Sequence, residues 1–269
     1  MTNPMTNNLL LISREVRASG DIEHWTLNEP GSKNALNAMM VLALQQACLR
    51  AQADKALRVI VLSGANQAFC SGGSLGGFAK EMSGAVDPLI TSNLEFGELL
   101  EQLCRLPQVL ICVVDGVAMG GGFGLVCCAD TVIATDRSVF ATPEVTIGVV
   151  PAQIAPFVQW RLGDKAARVL MLQGARQSAA QMQLMGLVDE VGSESDLQSM
   201  LNKALQAHAR AAPAAVVATK ELMGMTFFKD LPPVRLAAAT AFALQLRSME
   251  AQEGLAAFGQ KRKPAWAEL

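Results

Sequence analysis

Two kinds of hydrophobic pattern divide this chain. Continuous aliphatic runs at Val59–Leu62 and Val109–Val114 predict strands buried on both faces. Leu9–Val16 and Asp21–Leu27 read as two shorter strands joined through Ala18-Ser19-Gly20. Apolar residues recur at helical spacing over Ala38–Ala53, after a turn at Asn28-Glu29-Pro30-Gly31, and a further helix is expected over Leu89–Leu106. Strand, strand, helix, followed by strand, turn, helix, is a repeating ββα order. From about Leu197 the chain turns strongly helical. Alanine-rich runs at Leu201–Ala212 and Leu236–Ala251 are expected to be separate helices, divided by Pro213 and Pro232-Pro233.

Both apolar runs end in glycine-rich turns. Val109–Val114 gives way to Asp115-Gly116, then to Gly120-Gly121-Gly122 and an expected buried helix at Phe123–Val126. Val59–Leu62 leads through Ser63-Gly64 to Ser71-Gly72-Gly73. Glycines at such turns let the backbone approach a ligand and leave N–H groups without helical partners. Two such donors from two turns can meet on one carbonyl oxygen that gains negative charge. Farther on, Pro143-Glu144 places one carboxylate between Val139-Phe140 and Val145–Ile147. On chemistry alone the alternative is a tight strand–turn–helix in an α/β core, with Glu144 at the surface.

Read together, the stretches carry a resemblance. Ala68-Phe69-Cys70-Ser71-Gly72-Gly73, Val114–Gly122, Phe140–Gly148, and Glu253–Phe258 with Lys261-Arg262-Lys263-Pro264 resemble the enoyl-CoA hydratase/isomerase (crotonase) family, in the family's order and over nearly the whole chain. The resemblance implies an α/β, crotonase-like superhelical spiral of ββα units over residues 1–197. It also implies a helical trimerisation domain over 198–269 that lends residues to a neighbouring site.

Carried over position by position, Gly73 and Gly121 match the oxyanion donors, and Glu144 matches a catalytic glutamate. Ala68, Ser71, Gly120, Gly124, Pro151 and Lys261 are the further expected substrate contacts, Lys261 through the CoA of a neighbouring subunit. A solvated C-terminal lysine is the alternative for Lys261. Family hydratases use two glutamates, and the first falls twenty positions before Glu144, where this chain has Gly124. The chain departs from the family there. Family isomerases manage with one glutamate at the position of Glu144. Pro151-Ala152-Gln153-Ile154-Ala155-Pro156 resembles instead the hydratases of isohexenylglutaconyl-CoA in acyclic terpene breakdown. A 3-branched glutaconyl thioester brings its own second carboxylate, which could orient water in the space that Gly124 is expected to leave. Ser74, where many relatives have Asp, is expected to pack near the oxyanion turn. Asp130 is expected to cap a helix or contact a strand start.

Composition trims the alternatives. The 269 residues allow one large domain, or one with an appendage, and 51% hydrophobic with 17% charged residues is globular. A net charge of −2 gives no reason to expect nucleic acid or a membrane surface. Met1–Asn8 is polar without a basic start and reads as a tail or second start site, not a signal peptide. Val109–Ala129 is the most membrane-like window, but Asp115 and its glycines predict a core strand and helix. Six cysteines without CxxC spacing are expected to be small hydrophobes in a reducing, cytoplasmic setting. His24 and His208, the two histidines, lie far in sequence from the glycine turns, which argues against a His triad or a metal cluster. No metal and no other cofactor is expected, CoA being part of the substrate.

The expected reaction is syn hydration of a 2-enoyl-CoA, as a homotrimer or dimer of trimers. Double-bond isomerisation with Glu144 as sole base, and a catalytically silent CoA-binding scaffold, are the alternatives.

Overall fold

A computed structural model of the chain describes residues 8–73 and 86–267. Ser74, the Ser83-Gly84-Ala85 stretch and Met1–Asn7 lie outside the described residues. The strands are β1 (Leu10–Glu15), β2 (Asp21–Leu27), β3 (Leu57–Gly64), β4 (Val109–Val114), β5 (Val117–Met119), β6 (Thr131–Thr135), β7 (Val139–Ala141), β8 (Gln177–Ser178) and β9 (Glu190–Gly192). The helices are α1 (Ala38–Ala53), α2 (Val86–Cys104), α3 (Gly121–Cys127), α4 (Ala155–Gln173), α5 (Ala179–Leu184), α6 (Leu197–Ala209), α7 (Pro213–Leu246) and α8 (Met249–Gly259).

Strands pair in the order β1-β2-β3-β4-β6-β9, antiparallel between β1 and β2 and parallel thereafter. A smaller sheet, β5-β7-β8, lies beside it. Alternate residues of the central strands serve two cores, which is why β3 and β4 read as unbroken apolar runs. Trp25, Ile60, Leu62, Leu110 and Cys112 join the main core with α1 and α3. Ile22, Val59, Val61, Val109 and Ile111 face Met200, Leu201 and Leu205 of α6. All six cysteines are buried free thiols.

Helix α1 starts where Asn37 caps it, its Oδ1 accepting from the Met40 N–H at 2.9 Å. Asp130 makes the strand contact: its Oδ2 accepts from the Leu110 N–H at 2.8 Å and pairs with Lys220 of α7 at 2.6 Å. The expected break at Pro232-Pro233 does not occur; both prolines lie inside α7. A proline costs its own N–H bond and crowds the carbonyl four residues back. Here both prolines are exposed, while Phe228, Leu231 and Ala239 keep the helix docked. Among the described residues no helix is long and apolar enough to cross a membrane.

Candidate active site

Two loops at the ends of parallel strands are stitched to each other before any ligand is considered. Asn34, fully buried, accepts from the Glu29 N–H at 2.8 Å and donates to the carbonyls of Ala65 (3.1 Å) and Ala68 (2.7 Å). The Ser71 N–H donates to the Lys33 carbonyl at 3.0 Å, and the Ser71 hydroxyl to the Ser32 carbonyl at 2.7 Å. The Leu36 N–H donates to the Gly72 carbonyl at 2.8 Å, in a parallel bridge between Leu36 and Gly73. The peptide entering Gly73 is thereby fixed. Gly72 stands at φ 96°, with the Met119 carbonyl 2.8 Å from where a Cβ would be.

The second turn hangs from the first. The Met119 N–H donates to the Cys70 carbonyl at 2.9 Å, and the Gly120 N–H to the Ala141 carbonyl at 2.9 Å. Gly120 adopts φ 49° and ψ −119°, a conformation that glycine reaches without steric cost. Helix α3 begins at Gly121, whose N–H therefore has no partner within the helix. Cys70 beneath this turn is buried, and burial pushes its thiol up to about 12, so it stays protonated.

The carboxylate arrives from β7. The 3-10 turn Pro143–Ile147 ends at Gly148, φ 71°. Gly148 and Gly254 let α8 lie directly on this turn: a Cβ on Gly254 would stand 2.3 Å from the Ile147 carbonyl, and one on Gly148 2.5 Å from that of Glu250. So the Glu253-Gly254 motif braces the turn that carries Glu144. The Glu144 carboxyl lies over Gly120, where an added Cβ would be 2.8 Å from Oε1. Its Oε2 is enclosed without a hydrogen-bond partner. Burial pushes this carboxyl up to about 7, opposed by the hydrogen bond from its own backbone N–H.

These groups share one cleft of about 520 Å³. Ser71, Gly73, Gly120, Gly121, Glu144 and Pro151 line it, together with Leu36, Val41, Phe96, Ile154, Phe242 and Phe258. A largely apolar cleft with a few convergent polar groups suits an acyl chain bearing one reacting carbonyl. No histidine lines it, and among the described residues no three His, Cys, Asp or Glu side chains group as metal ligands.

The sequence profile described as Enoyl-CoA hydratase/isomerase matches residues 17–268. The chain belongs to the enoyl-CoA hydratase/isomerase family. It is similar to the crystal structure of an enoyl-CoA hydratase from Mycobacterium avium, at TM-score 0.86 and 29% identity, over 96% of this chain and 99% of that one. The structure of Pseudomonas aeruginosa AtuE is 38% identical at TM-score 0.77, over 97% and 100% of the two chains. The carnitinyl-CoA dehydratase of Salmonella enteritidis is 30% identical over 265 residues, 94% of this chain and 98% of that protein. The fold is thus the crotonase fold.

Within this enoyl-CoA hydratase/isomerase family member, two expected contacts, Ala68 and Gly124, lie outside the cleft lining. Ala68 is buried outside the cleft lining, and its carbonyl holds Asn34. Lys261, expected at the CoA of a neighbouring subunit, is exposed beyond α8 at φ 54° and does not line its own chain's cleft; Phe258 does. Gly124 leaves no open space. A Cβ there would stand 2.4 Å from Ile154 Cγ2 and 3.6 Å from Leu100 Cδ2, so Ile154 already fills the place of a larger residue. The C-terminal helices serve their own chain's cleft, through Phe242 and Phe258.

Sequence reasoning passed over Asn34, Asn93, Gln153, Ile154 and Arg176. Gln153 had a signal: it is the polar residue in an apolar segment bracketed by prolines. Asn34 had a weaker one, since Asn tolerates the left-handed φ of 59° it adopts.

Simply restoring a glutamate is expected to fail. Gly124→Glu should lose about 1–3 kcal/mol by overpacking against Ile154 and gain no hydration. Pairing it with Ile154→Ala should recover much of that stability. Urea unfolding of the single and double variants checks both statements.

Proposed function

We propose that this chain catalyses syn addition of water to a 2-enoyl-CoA, with a 3-branched glutaconyl thioester, such as isohexenylglutaconyl-CoA, as the substrate class. The observation that carries this reading is the Glu144 carboxyl, raised to about 7 and set over the Gly120–Gly121 turn in the cleft that also holds Gly73. A base with that value is half ionised near neutral pH and can both take and return a proton.

The thioester oxygen would accept from the N–H groups of Gly73 and Gly121. Ionised Glu144 takes a proton from water as the hydroxyl oxygen bonds to C3. The C2–C3 π electrons move toward the thioester, and its oxygen becomes the enolate held by the two N–H groups. Protonated Glu144 then returns the proton to C2 on the same face, and the carbonyl reforms. Each oxyanion donor in such a pair contributes about 3–4 kcal/mol to lowering the barrier. Arg176 is the one cationic side chain lining the cleft among the described residues, and it has no carboxylate partner among them. It supports a substrate with a second carboxylate, which would help to hold the water. Lys261 belongs to this proposal only as a contact to CoA phosphates of a neighbouring subunit, in a cytoplasmic homotrimer or dimer of trimers.

One observation favours isomerisation instead. Ile154 occupies the place beside Gly124, and the other carboxylate in the lining, Glu95, is exposed. A lone Glu144 suffices to shuttle a proton between C4 and C2.

Ultraviolet absorbance of the conjugated enoyl thioester separates the readings, on straight 2-enoyl, straight 3-enoyl and 3-branched glutaconyl CoA esters. Loss of conjugation, greatest on the branched glutaconyl ester, is the expected result. Gain of conjugation from the 3-enoyl ester alone would make the chain an isomerase. Tight binding of all three without chemistry would make it a scaffold.

A further inference from the structure

The acyl wall of the cleft carries a polar pair that the chemistry above does not use. Gln153, 2% exposed, donates from Nε2 to Asn93 Oδ1 at 2.9 Å and to the backbone carbonyl of Arg235 in α7 at 3.0 Å. Asn93 lies on α2, and both side chains line the cleft.

The backbone carbonyl settles which way both amides point. A carbonyl only accepts, so the atom of Gln153 facing Arg235 must be the nitrogen. Both hydrogens of that nitrogen are then spent, one on each partner. The Asn93 atom facing the same nitrogen must in turn be its oxygen. Asn93 is left presenting Nδ2, with two hydrogens that donate to nothing among the described residues. The helix makes room for this arrangement: a Cβ on Gly97 would stand 2.1 Å from Gln153 Oε1 and 2.7 Å from its Cδ, so a larger residue there would push the Gln153 side chain out of this position. Oε1 is itself enclosed without a partner. A half-buried amide in the lining, between Ser92 and Glu95, with its donors left unpaired favours an oxygen acceptor on the ligand and gains nothing from a hydrocarbon.

We propose that Asn93, oriented by Gln153, donates to a carboxylate oxygen on the acyl chain and selects acyl thioesters that carry one over plain alkyl thioesters. This inference deepens the glutaconyl reading above and rests on it for the substrate class.

Binding of two unreactive thioesters, glutaryl-CoA and butyryl-CoA, measured by calorimetry on the full-length protein, tests it apart from any chemistry. Wild type should prefer glutaryl-CoA. Asn93→Leu should weaken glutaryl-CoA by about 10- to 100-fold, the usual worth of a hydrogen bond to a charged group, and leave butyryl-CoA within about twofold. Gln153→Met should weaken glutaryl-CoA by less, because Asn93 remains but loses its orientation. The double variant should be no worse than Asn93→Leu, since the two act as one unit. Thermal unfolding of each variant identifies any that fails to fold, and Asn93→Asp, which keeps the size but exchanges the donor for a negative charge, should weaken glutaryl-CoA at least as much as Asn93→Leu. Equal weakening of both ligands, or none of either, would overturn the proposal. Should glutaconyl-CoA be hydrated while Asn93→Leu leaves the preference intact, this inference alone fails. Should the preference vanish in Asn93→Leu while no thioester is hydrated, the hydratase reading alone fails.

Discussion

Glu144→Gln is expected to lower kcat on every enoyl thioester by about 10²- to 10⁴-fold, the range over which a positioned acid–base group contributes. The same substitution should make the protein more stable at pH 8. The carboxyl is raised by burial from its ordinary value of 4.5 to about 7. A raised acid favours the folded state fully below pH 4.5, and that advantage is lost as pH climbs from 4.5 through 7. Each unit is worth about 1.4 kcal/mol, so ionised Glu144 costs the fold at most about 3.5 kcal/mol, less because the side chain is only partly shielded from solvent. Unfolding curves of the two proteins should therefore separate at pH 8 and coincide near pH 4. In wild type, kcat/KM should rise along a limb with an apparent pKa of about 7. A limb near 4.5, or a glutamine variant less stable than wild type at pH 8, would mean that the carboxyl is solvated rather than buried.

Gly120→Ala is the second expected large effect. Glycine alone reaches φ 49°, ψ −119° cheaply, and a Cβ there would lie 2.8 Å from Glu144 Oε1. The backbone strain should cost about 1–3 kcal/mol of stability. The flexible carboxylate would yield first, and moving a catalytic group by about 1 Å is worth roughly 10²-fold in rate. A loss of at least about 10²-fold in kcat/KM is expected, with the oxyanion peptide of Gly121 twisted as well. Gly259→Ala, at the end of α8 with nothing within 4 Å of the added Cβ, should leave both rate and stability near wild type. Parallel rate and urea-unfolding measurements on the two variants check the contrast. Full activity in Gly120→Ala would mean that Glu144 is not held over this turn.

Much of this arrangement was legible before any coordinates. The runs Val59–Leu62 and Val109–Val114 are strands because they lie between two cores and can afford no polar position. Ala38–Ala53 is a helix with those bounds because Asn37 caps it and Asp54 ends it. The glycines at 72, 73, 120 and 121 stood out because backbone turns that approach a ligand this closely tolerate little else. What failed to show was anything decided by a distant residue. Pro232-Pro233 promised a break, but packing of Phe228, Leu231 and Ala239 outweighs two lost backbone bonds.

Gly124 separates the two kinds of knowledge most clearly. The sequence by itself determined the family, the pair of strand-end glycine turns, the single glutamate after Pro143, and the absence of a second one twenty positions earlier. These are local facts, encoded in residues that only certain backbone conformations accept. Only the tertiary structure decided what the missing glutamate left behind: not a space, but Ile154, thirty positions on and pressed against the glycine. It also decided that a glutamine in an apolar segment would engage an asparagine's oxygen and leave its donors unpaired, and that burial would raise Glu144 toward neutrality. Desolvation and amide orientation depend on everything packed around a group, so no stretch of sequence around Glu144, Gly124 or Asn93 contains them.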